Sequence, residues 1–437
     1  MSDAADPHLT GPYGPRTSSC ATELVCRDCG YRTPLLDTAF KCPACGEGLD
    51  VDYDYERARE RIAQRPLGER PWNIWRFDEL LPIVSSRAQG RVAAFAGKTP
   101  LIHAERLGAE LGLSNLYLKD DSTNRPSLSY KDRVVGIAIA RLLELGKDEV
   151  GCVSTGNVGT AVAALAAQAG VKPFIFYPGN MEKGKAKACR ALGAQVCQLD
   201  GNYDQANRAC RELAITTGME FANITLRPFY AEGAKTMAYE VVEELGWKAP
   251  DHFVIPAAGG TLSSRVHKGL VELEKVGLAE TGGSKINVAQ ASGCSPIATA
   301  IVGGGEIVSQ TPETAAHSLA IGAPGDGCLV VDAVRSRGGS AATASDEEIF
   351  GAIDLLGATE GILTEPAGGT TIASTARLAQ EGKIGPDEVV VAVISGNGLK
   401  TLQEHPDNPW PEMVPCEVAA MEELLTEFRG AAAAVSR

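Results

Sequence analysis

Lys131 stands in the run Ser127, Leu128, Ser129, Tyr130, Lys131, Asp132, Arg133. An aromatic ring precedes it and an acid–base pair follows. Then comes the apolar stretch VVGIAIARLLELG, which reads as a helix. A lysine is ordinarily a surface residue. Against a buried helix, desolvation disfavours the ammonium and lowers the lysine pKa. A neutral amine then condenses with an aldehyde to form a Schiff base. Carbonyl chemistry at Nζ is therefore the first expectation.

Such an amine needs a partner, and the rest of the chain suggests one. Three apolar runs end in small, glycine-rich turns: STGNVGT (154–160), PAAGGTLSS (256–264) and ISGNGLKT (394–401). The first two lead into helices, whose free backbone N–H groups and neighbouring hydroxyls make anion cradles. The first offers the Ser154 and Thr155 hydroxyls beside its backbone N–H groups, and the second runs over 256–264. Neither ends in the Gly-Lys-Ser/Thr of a nucleotide-binding loop, and no G-x-G-x-x-G follows a first strand. Two cradles suggest two anionic groups in one site, a phosphorylated cofactor and an anionic substrate. Pyridoxal phosphate carries both an aldehyde for Lys131 and a phosphate for a cradle.

A second chemistry sits near the N-terminus. Cys26 and Cys29, then Cys42 and Cys45, form two Cys-x-x-Cys pairs twelve residues apart, each followed by glycine, Gly30 and Gly46. Glycine there permits the tight turn that points N–H groups at sulfur. Four thiolates in a tetrahedron suit a structural Zn²⁺. Iron in a rubredoxin-like site and a metal-free ribbon are the alternatives. A catalytic metal is not expected, because four thiolates leave no open position. The eight other cysteines are scattered singly and read as small buried hydrophobes. His103, His252, His267 and His317 show no ligand spacing and read as structural or surface residues.

The elements that position these groups follow from periodicity. From residue 99 onward, apolar strand-like runs such as NLYLKDD, KPFIFYPG, HFVIPAAGG and EVVVAVISGNG alternate with helical patterns. That alternation implies an α/β fold with parallel-rich sheets flanked by helices. Ligands in such folds collect at the carboxyl ends of strands. The expected organisation is a disordered arm (1–22), a zinc ribbon built on the four cysteines (23–55), and a connecting arm (56–98) that packs Trp72 and Trp75 on the body. A catalytic body (99–410) with a smaller nested domain (about 120–235) follows, then a C-terminal helix and tail (411–437). The 437 residues carry a formal net charge of −14, which argues against a general affinity for nucleic acid or anionic membrane. No apolar run is long enough to span a bilayer and the N-terminus lacks a signal-peptide pattern, so cytosol is the expected compartment.

The blocks PSLSYKDR (126–133), STGN (154–157), FYAEGAKT (229–236), IPAAGGTL (255–262), QASGCSP (290–296), SLAIGAPGDG (318–327), TEPAGGTT (364–371) and SGNGLKT (395–401) occur in this order. In them the chain resembles the threonine synthases, members of the tryptophan-synthase-β-like, fold type II class of pyridoxal-phosphate enzymes. The resemblance is to the long, ribbon-bearing form and runs from the ribbon to about residue 405. It implies a two-domain fold type II body and a homodimer. It implies that Lys131 is the Schiff-base lysine and general base. Asn157 would bond the ring hydroxyl, residues 258 to 262 would hold the cofactor phosphate, and Ser395 would face the pyridine nitrogen. Ser129, Ser154, Thr155, Gly156, Arg227 and Lys235 would hold the substrate, and Glu365 and Thr370 would line the site. The implied reaction converts O-phosphohomoserine and water to threonine and phosphate.

This chain departs from the family at Leu128, which replaces a glycine, and at Tyr230, where many relatives carry arginine. Asn397 stands where histidine or aspartate is common. The departures touch the substrate side, so a specialised relative acting on another O-phospho or activated amino acid, in the manner of a cysteate synthase, is the alternative. A ribbon-bearing binding protein without catalysis is the reading from another class.

Overall fold

The computed structural model of the chain describes residues 17–37, 40–154, 156–179, 183–402 and 413–435, with side chains to residue 426. Twelve strands are present among them. β1 (Ala21–Cys26), β2 (Arg32–Pro34) and β3 (Leu49–Tyr53) make an antiparallel sheet in the order β2-β1-β3. The large sheet contains β4 (Leu101–His103), β5 (Leu116–Asp120), β9 (His252–Pro256), β10 (Lys285–Ala291), β11 (Ala341–Ala344) and β12 (Val390–Ile394), in the order β11-β10-β9-β12-β5-β4. Its strands are parallel except β4, which runs antiparallel to β5. A smaller parallel sheet joins β6 (Glu149–Val153), β7 (Lys172–Pro178) and β8 (Gln195–Leu199).

The central strands are apolar throughout, as parallel strands covered on both faces must be; β9 and β12 are buried at every position. The small sheet is accompanied by the helices Lys131–Glu144, Asn157–Ala169, Lys183–Ala191 and Tyr203–Thr217. The ends of β5, β6, β9 and β12 lead into the Lys131 loop, the STGN turn, the AAGGTL turn and the SGN turn respectively.

Three boundaries differ from the expected organisation. Of the arm expected over 1–22, residues 1–16 lie outside the described residues. From Thr17 the chain is tied down: Thr17 N–H donates to Val84 O and Cys20 N–H to Glu79 O, both at 2.9 Å. The segment 56–98 is more than a connector, because it buries Ile74, Phe77, Leu80, Leu81 and Ile83 completely or nearly so. Trp72 and Trp75 are only half-buried: Trp75 Nε1 donates to Val92 O at 3.1 Å, and the Arg76 guanidinium lies over the Trp72 ring. The compact body ends at Thr401 instead of 410, and residues 402–437 form a separate unit whose helix is Val418–Val435.

The start of the helix Lys131–Glu144 is fixed by a buried charge network. Arg133 has no exposed side-chain surface; Nε is 2.7 Å from Asp121 and Nη1 is 2.6 Å from Glu240. Its Nη2 also donates to Thr99 Oγ1 at 2.9 Å. Glu240 further pairs with the buried Lys119 at 3.0 Å. Burial works against the Glu240 carboxylate, but Arg133 and Lys119 outweigh it and hold its pKa down to about 2. Removing one partner of such a cluster strands the others. Arg133→Met is expected to lower stability by about 3–5 kcal/mol, read as a shift of the urea midpoint. A loss below about 1 kcal/mol would show the network to be dispensable.

Candidate active site

Lys131 is half-buried, less enclosed than its sequence context suggests, because it opens onto a cavity and not into the core. Its Nζ donates to the Tyr130 hydroxyl at 2.5 Å and sits 4.3 Å from that ring's centroid. The loop before it is clamped from β12 and the turn beyond. Tyr130 N–H donates to Ser395 O at 3.0 Å, Asn397 N–H to Leu128 O at 3.1 Å, and Lys400 Nζ to Leu128 O at 2.9 Å. Leu128 has φ = +60°, the left-handed region that favours glycine. That conformation costs a β-carbon-bearing residue roughly 1–2 kcal/mol, which the clamps sustain. The departure noted at Leu128 is therefore one of residue type, with the glycine conformation kept.

The turn after β9 lines the same cavity as Lys131, of about 690 Å³. Ala258, Gly259, Gly260, Thr261 and Leu262 all line it. Gly260 caps the helix Thr261–Lys275 at φ = +94°, and a Cβ there would come within 3.0 Å of the Asp326 backbone. The first N–H groups of a helix have no intrahelical acceptor, so this turn presents donors to the cavity. Arg227, expected on the substrate side, reaches the same wall: its Nη2 donates to Thr261 Oγ1 at 3.0 Å and lies 2.5 Å from Asp326 Oδ2. Burial raises the pKa of Asp326, yet Arg227, Arg27 and Arg265 outweigh it and hold the carboxyl at about 2.

Tyr230 also lines the cavity and is almost fully buried. Burial, then the neighbouring Tyr130, lifts its pKa well above the usual phenol range against the opposing Arg227. Tyr203 on the far wall is likewise raised by burial. Both hydroxyls are neutral hydrogen-bonding groups at any working pH.

The remaining predicted residues divide. Ser154 and Asn157 line the cavity. Ser154 Oγ accepts from Gly156 N–H at 3.0 Å and Gly159 N–H at 2.9 Å, so it holds the turn as well as facing the cavity. Thr155 lies outside the described residues. Gly156 closes against Lys185, whose Cδ would be 2.6 Å from a Cβ placed there. Asn157 donates from Nδ2 to Glu365 at 2.5 Å and accepts from Lys400 Nζ at 2.9 Å. Glu365 is buried and 3.1 Å from Lys185; burial pushes its pKa up, but Lys185 and Lys400 bring it below the ordinary value. Ser129 and Ser395 are buried at the clamp and are not among the cavity-lining residues. Thr370 bonds within its own helix, to Pro366 O.

Lys235 requires a correction. Its Nζ is 2.7 Å from Glu232 and 2.9 Å from Glu272, and 4.0 Å from the Tyr53 ring centroid. Two buried carboxylates take up its charge beneath the ribbon, and it is absent from the cavity lining.

The four cysteines of the ribbon converge, every pair of their sulfurs lying within 4.8 Å. Cys26 Sγ is 3.4 Å from Cys45 Sγ, and Cys29 Sγ is 3.5 Å from Cys42 Sγ. A tetrahedral ion with metal–sulfur bonds of about 2.3 Å needs sulfurs roughly 3.8 Å apart, so the set fits one. Gly30 and Gly46 have φ = +71° and +80°, the conformation the motif called for. Among the other cysteines, Cys197, Cys328 and Cys416 are exposed, contrary to the expectation of burial.

A family model for pyridoxal-phosphate-dependent enzymes matches residues 92–396. The chain belongs to that family. A lyase-type reaction is consistent with that family and with its curated relatives. The chain is 34% identical over 412 residues to the threonine synthase of Methanocaldococcus jannaschii, covering 92% of this chain and 99% of that one. It is 37% identical over 312 residues to the threonine synthase of Bacillus sp. (strain ULM1), covering 71% and 85%. Among solved structures, a pyridoxal 5'-phosphate-dependent aspartate racemase superposes with a TM-score of 0.62 at 20% identity, over 74% of this chain and 96% of that one. That likeness shows the shared fold. The residues present suit the cofactor of the family: an amine at Lys131 and a donor-lined turn at 258–262 face one cavity. Among the described residues no helix is long and apolar enough to cross a membrane.

Sequence reasoning passed over Asp326 and Arg27, which complete the cavity wall, and Asp132. Asp132 is fully buried beside Lys131; Oδ2 accepts from Ser127 N–H at 2.9 Å while Oδ1 has no hydrogen-bond partner. Burial pushes its carboxyl up to about 7, against the Ser127 and Lys400 contributions. An unfolded aspartate titrates near about 4. From about pH 4 to 7 the unfolded chain therefore releases a proton that the folded chain keeps. Asp132 thus contributes stability at low pH that is lost as pH rises through that window. In Asp132→Asn this part of the decline is expected to vanish, so thermal melts of wild type and variant should converge or cross as pH rises and run parallel above 7. A difference independent of pH would contradict the assignment.

Proposed function

We propose that this protein converts O-phosphohomoserine and water to threonine and phosphate. The observation that carries the reading is that Lys131 and the 258–262 turn with Arg227 line one cavity. The threonine synthase relatives, covered over most of their length, support the substrate. When bound, pyridoxal phosphate supplies an aldehyde and an electron-withdrawing ring that stabilises negative charge at the substrate Cα.

The chain's own groups do the rest. Residues 258 to 262 bind the cofactor phosphate through backbone N–H groups, and Asn157, which lines the cavity, orients the ring; Ser395, buried at the clamp behind the Lys131 loop, is assigned to the ring nitrogen by the family resemblance alone. Lys131 Nζ takes the proton from Cα as general base and returns protons along the substrate. Its hydrogen bond to Tyr130 keeps the amine aimed into the cavity. Ser154, which lines the cavity, serves the substrate carboxylate or phosphate, and Arg227 its phosphate. A serine at 395 does not hold a proton on the ring nitrogen as a carboxylate would, which favours elimination and replacement over transamination. The Cys26–Cys29–Cys42–Cys45 set holds zinc as a closed, structural site. A cytosolic homodimer completes the reading.

Tyr230 favours a second reading. A neutral phenol lines the cavity where many relatives carry arginine. A smaller or differently placed leaving group, as in another O-phospho amino acid, would suit that exchange.

A substrate comparison tests both. Wild-type protein loaded with pyridoxal phosphate is offered O-phosphohomoserine, O-phosphoserine and threonine, with phosphate, ammonia and amino-acid products measured. Phosphate and threonine from O-phosphohomoserine are expected, with turnover reduced about 1,000-fold or more in Lys131→Ala. Turnover confined to O-phosphoserine would establish the second reading in its place.

A further inference from the structure

The ribbon reaches into the cavity. Arg27, Phe40, Lys41, Glu47, Gly48 and Leu49 all line it. Arg27 is the residue that matters, because it sits inside the Cys26–Cys29 knuckle. Its Nη1 donates to Asp326 Oδ1 at 3.0 Å. Its Nε is buried and has no hydrogen-bond partner. The other oxygen of Asp326 takes Arg227 and Thr261 Oγ1, and Asp326 N–H donates to Gly259 O at 2.8 Å. One carboxylate thus serves two guanidiniums, which stay charged at all accessible pH. Over the whole lining, Arg27, Lys41, Lys131, Arg208, Arg211 and Arg227 outnumber Glu47, Asp204 and Asp326, so positive charge is left over beside the N-terminus of the helix Thr261–Lys275. An anion is the group that would balance it, and a phosphate matches guanidinium geometry.

We propose that Arg27 is a positioning residue of the phosphate-binding wall, so that the four-cysteine ribbon is part of the active site and not only a clip for the N-terminal segment. Through Asp326, Arg27 sets the orientation of Arg227 and Thr261 and leaves the wall with its excess positive charge. The backbone at Arg27 is pinned by a cysteine on each side of the knuckle and by its own N–H donating to Gly48 O at 3.2 Å. Metal loading of the ribbon therefore fixes the wall that receives phosphate. The inference deepens the proposed reaction and rests on its reading of the cavity as a phosphate site.

The test uses full-length, metal-loaded protein: wild type, Arg27→Met, Arg27→Lys, and Asp28→Ala as a control at an exposed neighbour in the same knuckle. Metal content and melting temperature establish that the ribbon is intact. Affinities for pyridoxal phosphate, by absorbance titration, and for inorganic phosphate, by calorimetry, are then compared. KM and kcat are measured where turnover is found.

Arg27→Met is expected to keep its metal and lose about tenfold in affinity for at least one of the two probes, the scale of one charge-assisted hydrogen bond. KM should rise with kcat nearly unchanged, Arg27→Lys should recover part of the loss, and Asp28→Ala should match wild type. A shift confined to pyridoxal phosphate assigns Arg27 to the cofactor's phosphate; one confined to inorganic phosphate assigns it to the substrate's. Affinities within twofold of wild type for both probes would overturn the proposal. Should Arg27→Met shed its metal, Arg27→Lys decides on the same two affinities. Wild-type protein that fails to turn over O-phosphohomoserine, yet binds phosphate in an Arg27-dependent way, would sink the proposed reaction and leave this inference standing.

Discussion

A guanidinium with no water around it needs its counter-charges at fixed positions, and Arg133 has them in Asp121 and Glu240. Asp121 follows β5, Glu240 lies in the helix Thr236–Glu244, and Arg133 opens the helix that begins at Lys131. The stretch from Asp121 to Arg133 and a helix 107 residues further along the chain are thereby held to one point. Moving either would separate buried charges, which is far more costly than bending a surface loop. Lys131 is two residues from that anchor. Its amine is held at the cavity wall because the backbone beneath it has nowhere else to go.

The same pairing of buried charges organises the opposite side of the site. Arg265 and Lys268 from the helix Thr261–Lys275 reach Asp50 and Glu232, and Tyr53 donates to Glu232 at 2.7 Å. These contacts join β3 of the ribbon to the helix whose N-terminus forms the donor-lined turn. Asp326 joins the ribbon to that turn a second time, through Arg27. Ribbon and body are thus bound by ion pairs at two places, along that helix and at Asp326 beside its N-terminus. Few of these pairs are exposed to solvent, so salt screens them weakly.

Much of this was legible from the sequence. Apolar runs closed by glycine marked β6, β9 and β12, since strands covered on both faces have little room for polar positions, and NLYLKDD marked β5. The cradle and the ribbon were legible because glycine, serine and cysteine carry local chemistry that spacing reveals. β4 and β11 were not, being short, and the second an Ala–Thr stretch without pattern. Lys235 was misplaced because, beside Glu232 three residues before it, a second carboxylate, Glu272, claims it from a helix that only tertiary packing brings near. Asp326 and Arg27 were passed over for the same reason: nothing near them in sequence announces a partner 299 residues away. Local signals report what a residue can do, and long-range pairing decides which residues are left free to do it.

The position of β12 in the large sheet has a consequence for how the chain comes together. β12 is the last strand of the sheet in sequence, yet it lies between β9 and β5. Until Val390–Ile394 exists, β9 to β11 and β4 to β5 are two unjoined half-sheets, each with an unpaired central edge. Such edges are templates for pairing with other chains, and contacts of high sequence separation form slowly. During synthesis on the ribosome, the nascent polypeptide must keep both edges from intermolecular capture until nearly all of it has emerged.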